Sequence, residues 1–135
     1  MKKYILTTIT VAMAAVFTSC EGDEGKLPLM TFKTGGKYIS ADAEVSRDSA
    51  FMIGIDATKA EDRDVLKKFN VSKSINGAAN TTWFSKDLSG AEADAYSYDF
   101  IDTAAGAAGE VQTYTFTVTN RDGLSKQLSV KVTLK

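Results

Sequence analysis

From Leu29 to the end of the chain apolar side chains recur at every second position, and no other feature of this sequence restricts its fold as strongly. A strand sends successive side chains to opposite faces, so the spacing describes sheets with one buried face. Met30 and Phe32 alternate with Thr31 and Lys33. Ile39, Ala41, Ala43 and Val45 form a second apolar row, and Phe51, Ile53, Ile55 and Ala57 a third. Phe69, Val71 and Ile75 keep the same parity around an outlying Lys73, which reads as an edge. Tyr96, Tyr98 and Phe100 follow, then Tyr114, Phe116 and Val118, and finally Leu128, Val130, Val132 and Leu134. Only residues 60–68 carry anything like a helical pattern.

Turn residues separate these runs at Gly35-Gly36, Asn76-Gly77, Ser89-Gly90, residues 106–109 and Asn120-Arg121-Asp122-Gly123. About seven short, half-buried strands in about 105 residues predict an all-β, immunoglobulin-like β-sandwich of antiparallel strands. The 135 residues, 44% apolar, suffice for one core and not for two, so residues 29–135 are expected to form a single Ig-like domain. The stretch TYTFTVTNRDGLS, residues 113–125, followed by an alternating last strand, resembles the final hairpin of Ig-like domains in small lipoproteins of the Bacteroidetes type.

The first 19 residues have the three parts of an export signal: Lys2 and Lys3, an apolar run over residues 5–17, and the small Thr18 and Ser19 before a cut. That run is too short for a membrane span, which needs about 20 residues. Phe17-Thr18-Ser19-Cys20 resembles the lipobox of bacterial lipoproteins, with Phe17 where leucine is commoner. The resemblance implies a cleaved lipoprotein signal peptide over residues 1–19 and lipidation of Cys20, the chain's one cysteine. An ordinary secretory signal followed by a lone thiol is the alternative, and no second cysteine exists to pair with it. Glu21, Asp23 and Glu24 resemble the signal that sends such lipoproteins to the outer face of the outer membrane, and read equally as a solvated acidic tether over residues 20–28. The expected location is the cell envelope, on an outer membrane, exposed at the surface.

A formal charge of −1 gives no basic face for nucleic acid. With no histidine, the commonest general base and the commonest metal ligand are both missing. Asp94, Asp99 and Asp102 are the carboxylates from which an acid and base pair could come, but a glycosidase needs two carboxyls about 5–9.5 Å apart across a cleft, which a sandwich does not obviously offer. Calcium could be met by Asp62 and Asp64 in one loop, or by Asp99, Asp102 and Asp122 at strand ends, although no complete loop motif is present. Trp83 and Phe84 are adjacent, so on a regular strand one faces the core and the other faces out, where an aromatic ring can stack on a ligand. Tyr38, beside Gly36 and Lys37, is a weaker ligand contact of the same kind. Asp48-Ser49-Ala50 and Asp102-Thr103-Ala104 resemble the O-glycosylation acceptor of exported Bacteroidetes proteins, which makes Ser49 and Thr103 candidate modification sites. Asn70 and Asn80 begin N-x-S/T sequons that matter only in a eukaryotic secretory route.

Together these readings predict a non-enzymatic, lipid-anchored envelope module without a cofactor. It would serve interaction or adhesion, as an accessory in glycan binding, with the membrane and an unknown protein or glycan as partners. A surface subunit polymerising by strand exchange, with residues 128–134 as donor strand, is the rival.

Overall fold

The computed structural model describes residues 25–135. Eight strands follow one another: β1 (Leu29–Phe32), β2 (Ala43–Val45), β3 (Ala50–Thr58), β4 (Leu66–Ile75), β5 (Thr81–Asp87), β6 (Ala95–Thr103), β7 (Val111–Asn120) and β8 (Ser125–Leu134), with a 3-10 turn at Gly90–Ala93 between β5 and β6. The period-2 rows explain most of them. In β7 every second residue, from Gln112 to Asn120, is buried, and its threonines fill the intervening positions. β-branched and aromatic side chains suit such a half-buried pleat.

Two open sheets result. β1, β3 and β6 form one, and β2, β8, β7, β4 and β5, in that order, form the other. The three-stranded sheet is antiparallel, with Ile53 opposite Phe100 and Ile55 opposite Tyr98. In the five-stranded sheet β2 runs parallel to β8, from Ala43 beside Val132 to Val45 beside Leu134. Between the sheets lies one core, with Ile53, Ile55, Phe69, Phe116 and Tyr114 at its centre. Tyr114 meets Phe51 edge-on with centroids 5.5 Å apart, and Phe100 meets Phe116 at 5.9 Å. Burying each such side chain contributes about 1.5–3 kcal/mol.

This arrangement corrects the expected Ig-like sandwich of about seven antiparallel strands. The sheets are open and divide three against five, and the larger one is mixed. Alternation reports which face of a strand is buried, and is silent on which strands pair or in which direction. The row from Ile39 to Val45 shows the difficulty: only Ala43–Val45 joins a sheet, at its edge. Residues before it form a strap that continues β1 along the edge of β3, where the Lys33 amide donates to the Gly54 carbonyl and the Ile39 amide to that of Met52.

A buried polar clip closes the end opposite the β4–β5 turn. Asn120 donates to the Asp64 carboxylate at 2.7 Å and to the Lys26 carbonyl at 3.0 Å, while its own carbonyl oxygen accepts from the amides of Asp122 and Leu124. Asp64 and Asn120 are both buried, so the bonds tie the first described residues to the β7–β8 turn and to the start of β4.

Candidate functional site

A β-bulge builds the site. Val71 of β4 pairs with Phe84 and Ser72 with Thr82, which leaves Trp83 as the extra residue on β5. A bulge bends the strand and re-aims a side chain. Phe84 packs against the core, its ring stacked on Tyr98 with centroids 4.8 Å apart. Strict alternation would send Trp83 to the opposite face. Instead its ring lies over the Lys73 ammonium, 5.1 Å from the ring centroid, and stays 54% exposed.

Lys73 belongs to the inward row of Phe69 and Val71 and sits directly across from Tyr114 of β7. Its side chain is 12% exposed, and its charge is met on three sides. Asp102 of the other sheet lies 3.2 Å from the ammonium, and the Tyr114 ring centroid lies 5.2 Å away, about as near as that of Trp83. A cation over an aromatic face gains about 0.5–2 kcal/mol, more where water is excluded. Asp102 also accepts from the Tyr114 hydroxyl at 2.7 Å and from the Thr103 amide at 2.8 Å. The network runs on: the Tyr114 hydroxyl lies 2.8 Å from Gln112 Oε1, and the fully buried Gln112 donates to Glu110 and to the Ala105 carbonyl. Burial first, and then the Asp102 contact, push the Tyr114 phenol well above its usual range.

The cleft in front of Trp83 has a volume of about 320 Å³ and is lined by Lys73, Ile75, Ala78, Ala79, Thr81 and Trp83. Its far wall is the β4–β5 turn, where Asn76 and Gly77 take positive φ of 50° and 76°. That wall is held by the Ser74 hydroxyl on the Ala78 carbonyl and by the Val111 amide on Asn76 Oδ1. The small side chains of Ala78 and Ala79 leave the space that the indole faces. Walls, platform and ammonium together can hold a flat molecule against the Trp83 ring and present one cationic donor to it.

The other residues singled out in the sequence lie elsewhere. Tyr38 is a strap contact: its hydroxyl lies 3.2 Å from each oxygen of Asp99, and its ring covers Gly54. Asp99 is also paired with Lys33 at 2.6 Å, and Asp94 with Lys59 at 2.7 Å, so Asp94, Asp99 and Asp102 answer to three different lysines. Thr103 is exposed and Ser49 half-buried, close together where β3 meets β6. Asp62, Asp64 and Asp122 do not converge; among the described residues no three His, Cys, Asp or Glu side chains stand close enough to hold a metal ion. Cys20, the signal segment and the acidic tether through Glu24 lie outside the described residues. Sequence reasoning passed over Lys73, Tyr114 and Gln112. The available signal was a lysine inside an apolar row.

Compared with protein-family models and with curated proteins, the chain matches none. Among solved structures its fold is similar to that of superoxide reductases. Two structures of superoxide reductase (neelaredoxin) from Ignicoccus hospitalis match it with TM-scores of 0.56 and 0.54, each at 7% sequence identity. The first match covers 81% of this chain and 80% of the other, and the second 82% and 81%. At that identity the likeness is one of fold.

It overturns several expectations. The resemblance to Ig-like Bacteroidetes lipoproteins rested on a terminal hairpin, and the whole architecture is shared with a differently named family. The same fold likeness stands against the lipid-anchored adhesion or glycan-accessory module, the strand-exchanging surface subunit and the outer-membrane location. Among the described residues no helix is long and apolar enough to cross a membrane. The exclusion of an enzyme falls too. It assumed a sandwich with no cleft, whereas this fold is similar to that of proteins named as enzymes and has a cleft lined by one ionisable group, Lys73.

Superoxide reduction moves one electron and needs a redox centre, for which iron held by imidazole or thiolate is suited. This chain has no histidine and one cysteine, and its described carboxylates do not cluster. The donor set does not fit such a centre.

Proposed function

We propose that the chain works through the Trp83 cleft, binding a small, flat organic molecule that stacks on the indole and accepts a hydrogen bond from Lys73. One observation carries this reading: the bulge at Trp83 leaves a large aromatic ring half-exposed over a nearly buried ammonium, facing an apolar space of about 320 Å³. Ligand pockets begin near about 300 Å³ and combine apolar walls with a few placed polar groups. A two-ring molecule is the size that fits. Superoxide, the substrate in the fold relatives' name, has no ring to stack and no redox centre to meet among the residues described. Binding is the step with which any chemistry at this cleft begins.

The test is equilibrium dialysis of the full chain against 2-acetylnaphthalene, a flat ring with one carbonyl acceptor. Saturable binding of one molecule per chain is expected, weakened about tenfold or more in Trp83→Ala, since an anchoring aromatic typically supplies about 2 kcal/mol or more. Because Trp83 is half-exposed, the variant should keep the wild-type melting temperature within a few degrees. Absence of saturable binding, or equal binding by the variant, would overturn the reading.

A further inference from the structure

The geometry points to a neutral ligand, with Asp102 as the residue that sets this preference; the inference rests on the Trp83 cleft being the binding site. Lys73 is the one charged residue lining that cleft, and its charge is already answered. Asp102 sits 3.2 Å away from the ammonium on the core side and is itself fixed by the Tyr114 hydroxyl and the Thr103 amide. Both members of the pair are about nine-tenths buried, at 12% and 13% exposure, so the attraction between them is little screened by water. Further along the same network stands a second carboxylate, Glu110, bonded through Gln112.

An incoming anion would leave water for an apolar space in which the one lining cation is already matched by Asp102. Burying a charge without a partner is strongly unfavourable, whereas a carbonyl oxygen needs only a hydrogen bond. Lys73 has three N–H donors, and Asp102 takes one. A donor therefore remains for an acceptor atom in the cleft, without a full charge to offer it. The ligand class that follows is a neutral planar compound with a carbonyl or similar acceptor at its edge. Asp102 touches no ligand in this scheme; it acts through Lys73 and is a positioning residue.

Two probes with one ring system and different charge test this. 2-Acetylnaphthalene is neutral and 2-naphthoate is an anion at neutral pH, and the full chain should bind the ketone about tenfold or more tightly, a difference of about 1.4 kcal/mol. Asp102→Asn, which keeps the shape and removes the counter-charge, should reverse or erase that ratio by strengthening naphthoate binding while changing ketone binding little. A merely structural role for Asp102 would weaken both probes together. Asp102→Glu should restore the wild-type ratio. If wild type prefers naphthoate, or if Asp102→Asn leaves the ratio unchanged, the inference is wrong while the cleft stands as a binding site. If neither probe binds, the site itself is wrong and the inference goes with it. If Asp102→Asn fails to fold, the wild-type ratio still tests the preference for a neutral ligand, and Asp102→Ala read at a temperature where it is folded tests the role of Asp102 by the same ratio.

Discussion

Gly54 shows how much one missing side chain permits. A Cβ at this position would lie 2.6 Å from Lys33 Cδ, 2.7 Å from Tyr38 Cε1 and 2.9 Å from Lys33 Cβ, so the strap along the three-stranded sheet closes only because the residue is glycine. Gly54→Ala should cost about 1–3 kcal/mol through this overpacking, read as a lower melting temperature with loss of amide protection at Ile39. The strap also carries a pH dependence. The Lys33 hydrogen bond, and secondarily that of Tyr38, hold the Asp99 carboxyl below its ordinary value, while Asp99 raises the Lys33 ammonium above its own. A depressed carboxyl stabilises the fold above its unfolded value and loses that contribution as pH falls through its folded value. The raised lysine contributes below its unfolded value and loses the contribution as pH rises through its folded one. Acid below the usual carboxylate range should therefore loosen the strap, and alkali above the usual lysine range should do the same. Ile39 amide exchange, corrected for its intrinsic pH dependence, checks this against Asp99→Asn; a variant with the same acid sensitivity as wild type would count against the clamp.

At the scale of elements, the strands divide into those whose neighbours repeat their pattern and those placed by contacts far away in sequence. The rows in β3, β4, β6, β7 and β8 were legible because each keeps most of its apolar residues on one face, and Asn120 to Gly123 announced the β7–β8 turn. The division into two sheets and the parallel β2 were not legible, since both depend on pairings between distant segments. Nor was the bulge: Thr82-Trp83-Phe84 reads as regular strand, and the extra residue appears only against Val71 and Ser72. Part of the cleft was therefore visible, in that one of Trp83 and Phe84 had to face outward, while Lys73 passed for an edge residue although it faces inward. Asp64 and Asn120 teach the same point, as two polar residues that look like loop residues and are buried together. Asn120→Ala would leave the Asp64 carboxylate without its amide donor and free the Asp122 and Leu124 amides. The expected loss is about 3 kcal/mol, mostly from the buried Asp64 oxygen that Asn120 serves, because a buried polar group left unsatisfied costs about 1–3 kcal/mol and a charged one more. Chemical denaturation measures it, and a loss under about 1 kcal/mol, the net worth of an ordinary hydrogen bond, would show that the clip is not what joins β4 to the β7–β8 turn.

For the whole molecule, the question is how one architecture can be shared with superoxide reductases by a chain with so different a donor set. Fold constrains where side chains can meet and leaves their chemistry to sequence. A redox-active iron site would draw on imidazole and thiolate ligands; here there is no histidine, and one cysteine stands at position 20. Carboxylates remain as candidate ligands, but those described do not cluster, and six of them are committed to lysines: Glu61 to Lys26, Asp99 to Lys33, Asp94 to Lys59, Asp102 to Lys73, Glu92 to Lys86 and Glu44 to Lys135. A cation entering any of these places would have to displace an ammonium and would find a single carboxylate. Full-length protein produced with ferrous iron in the medium and purified without chelator should therefore retain far less than one iron per chain by elemental analysis. Removal of whatever metal is present should leave its melting temperature unchanged, because a ligand that does not bind the native state adds nothing to its stability. One tightly held iron per chain, lost together with several degrees of thermal stability on chelation, would place a metal centre in this molecule and return the shared fold to shared chemistry.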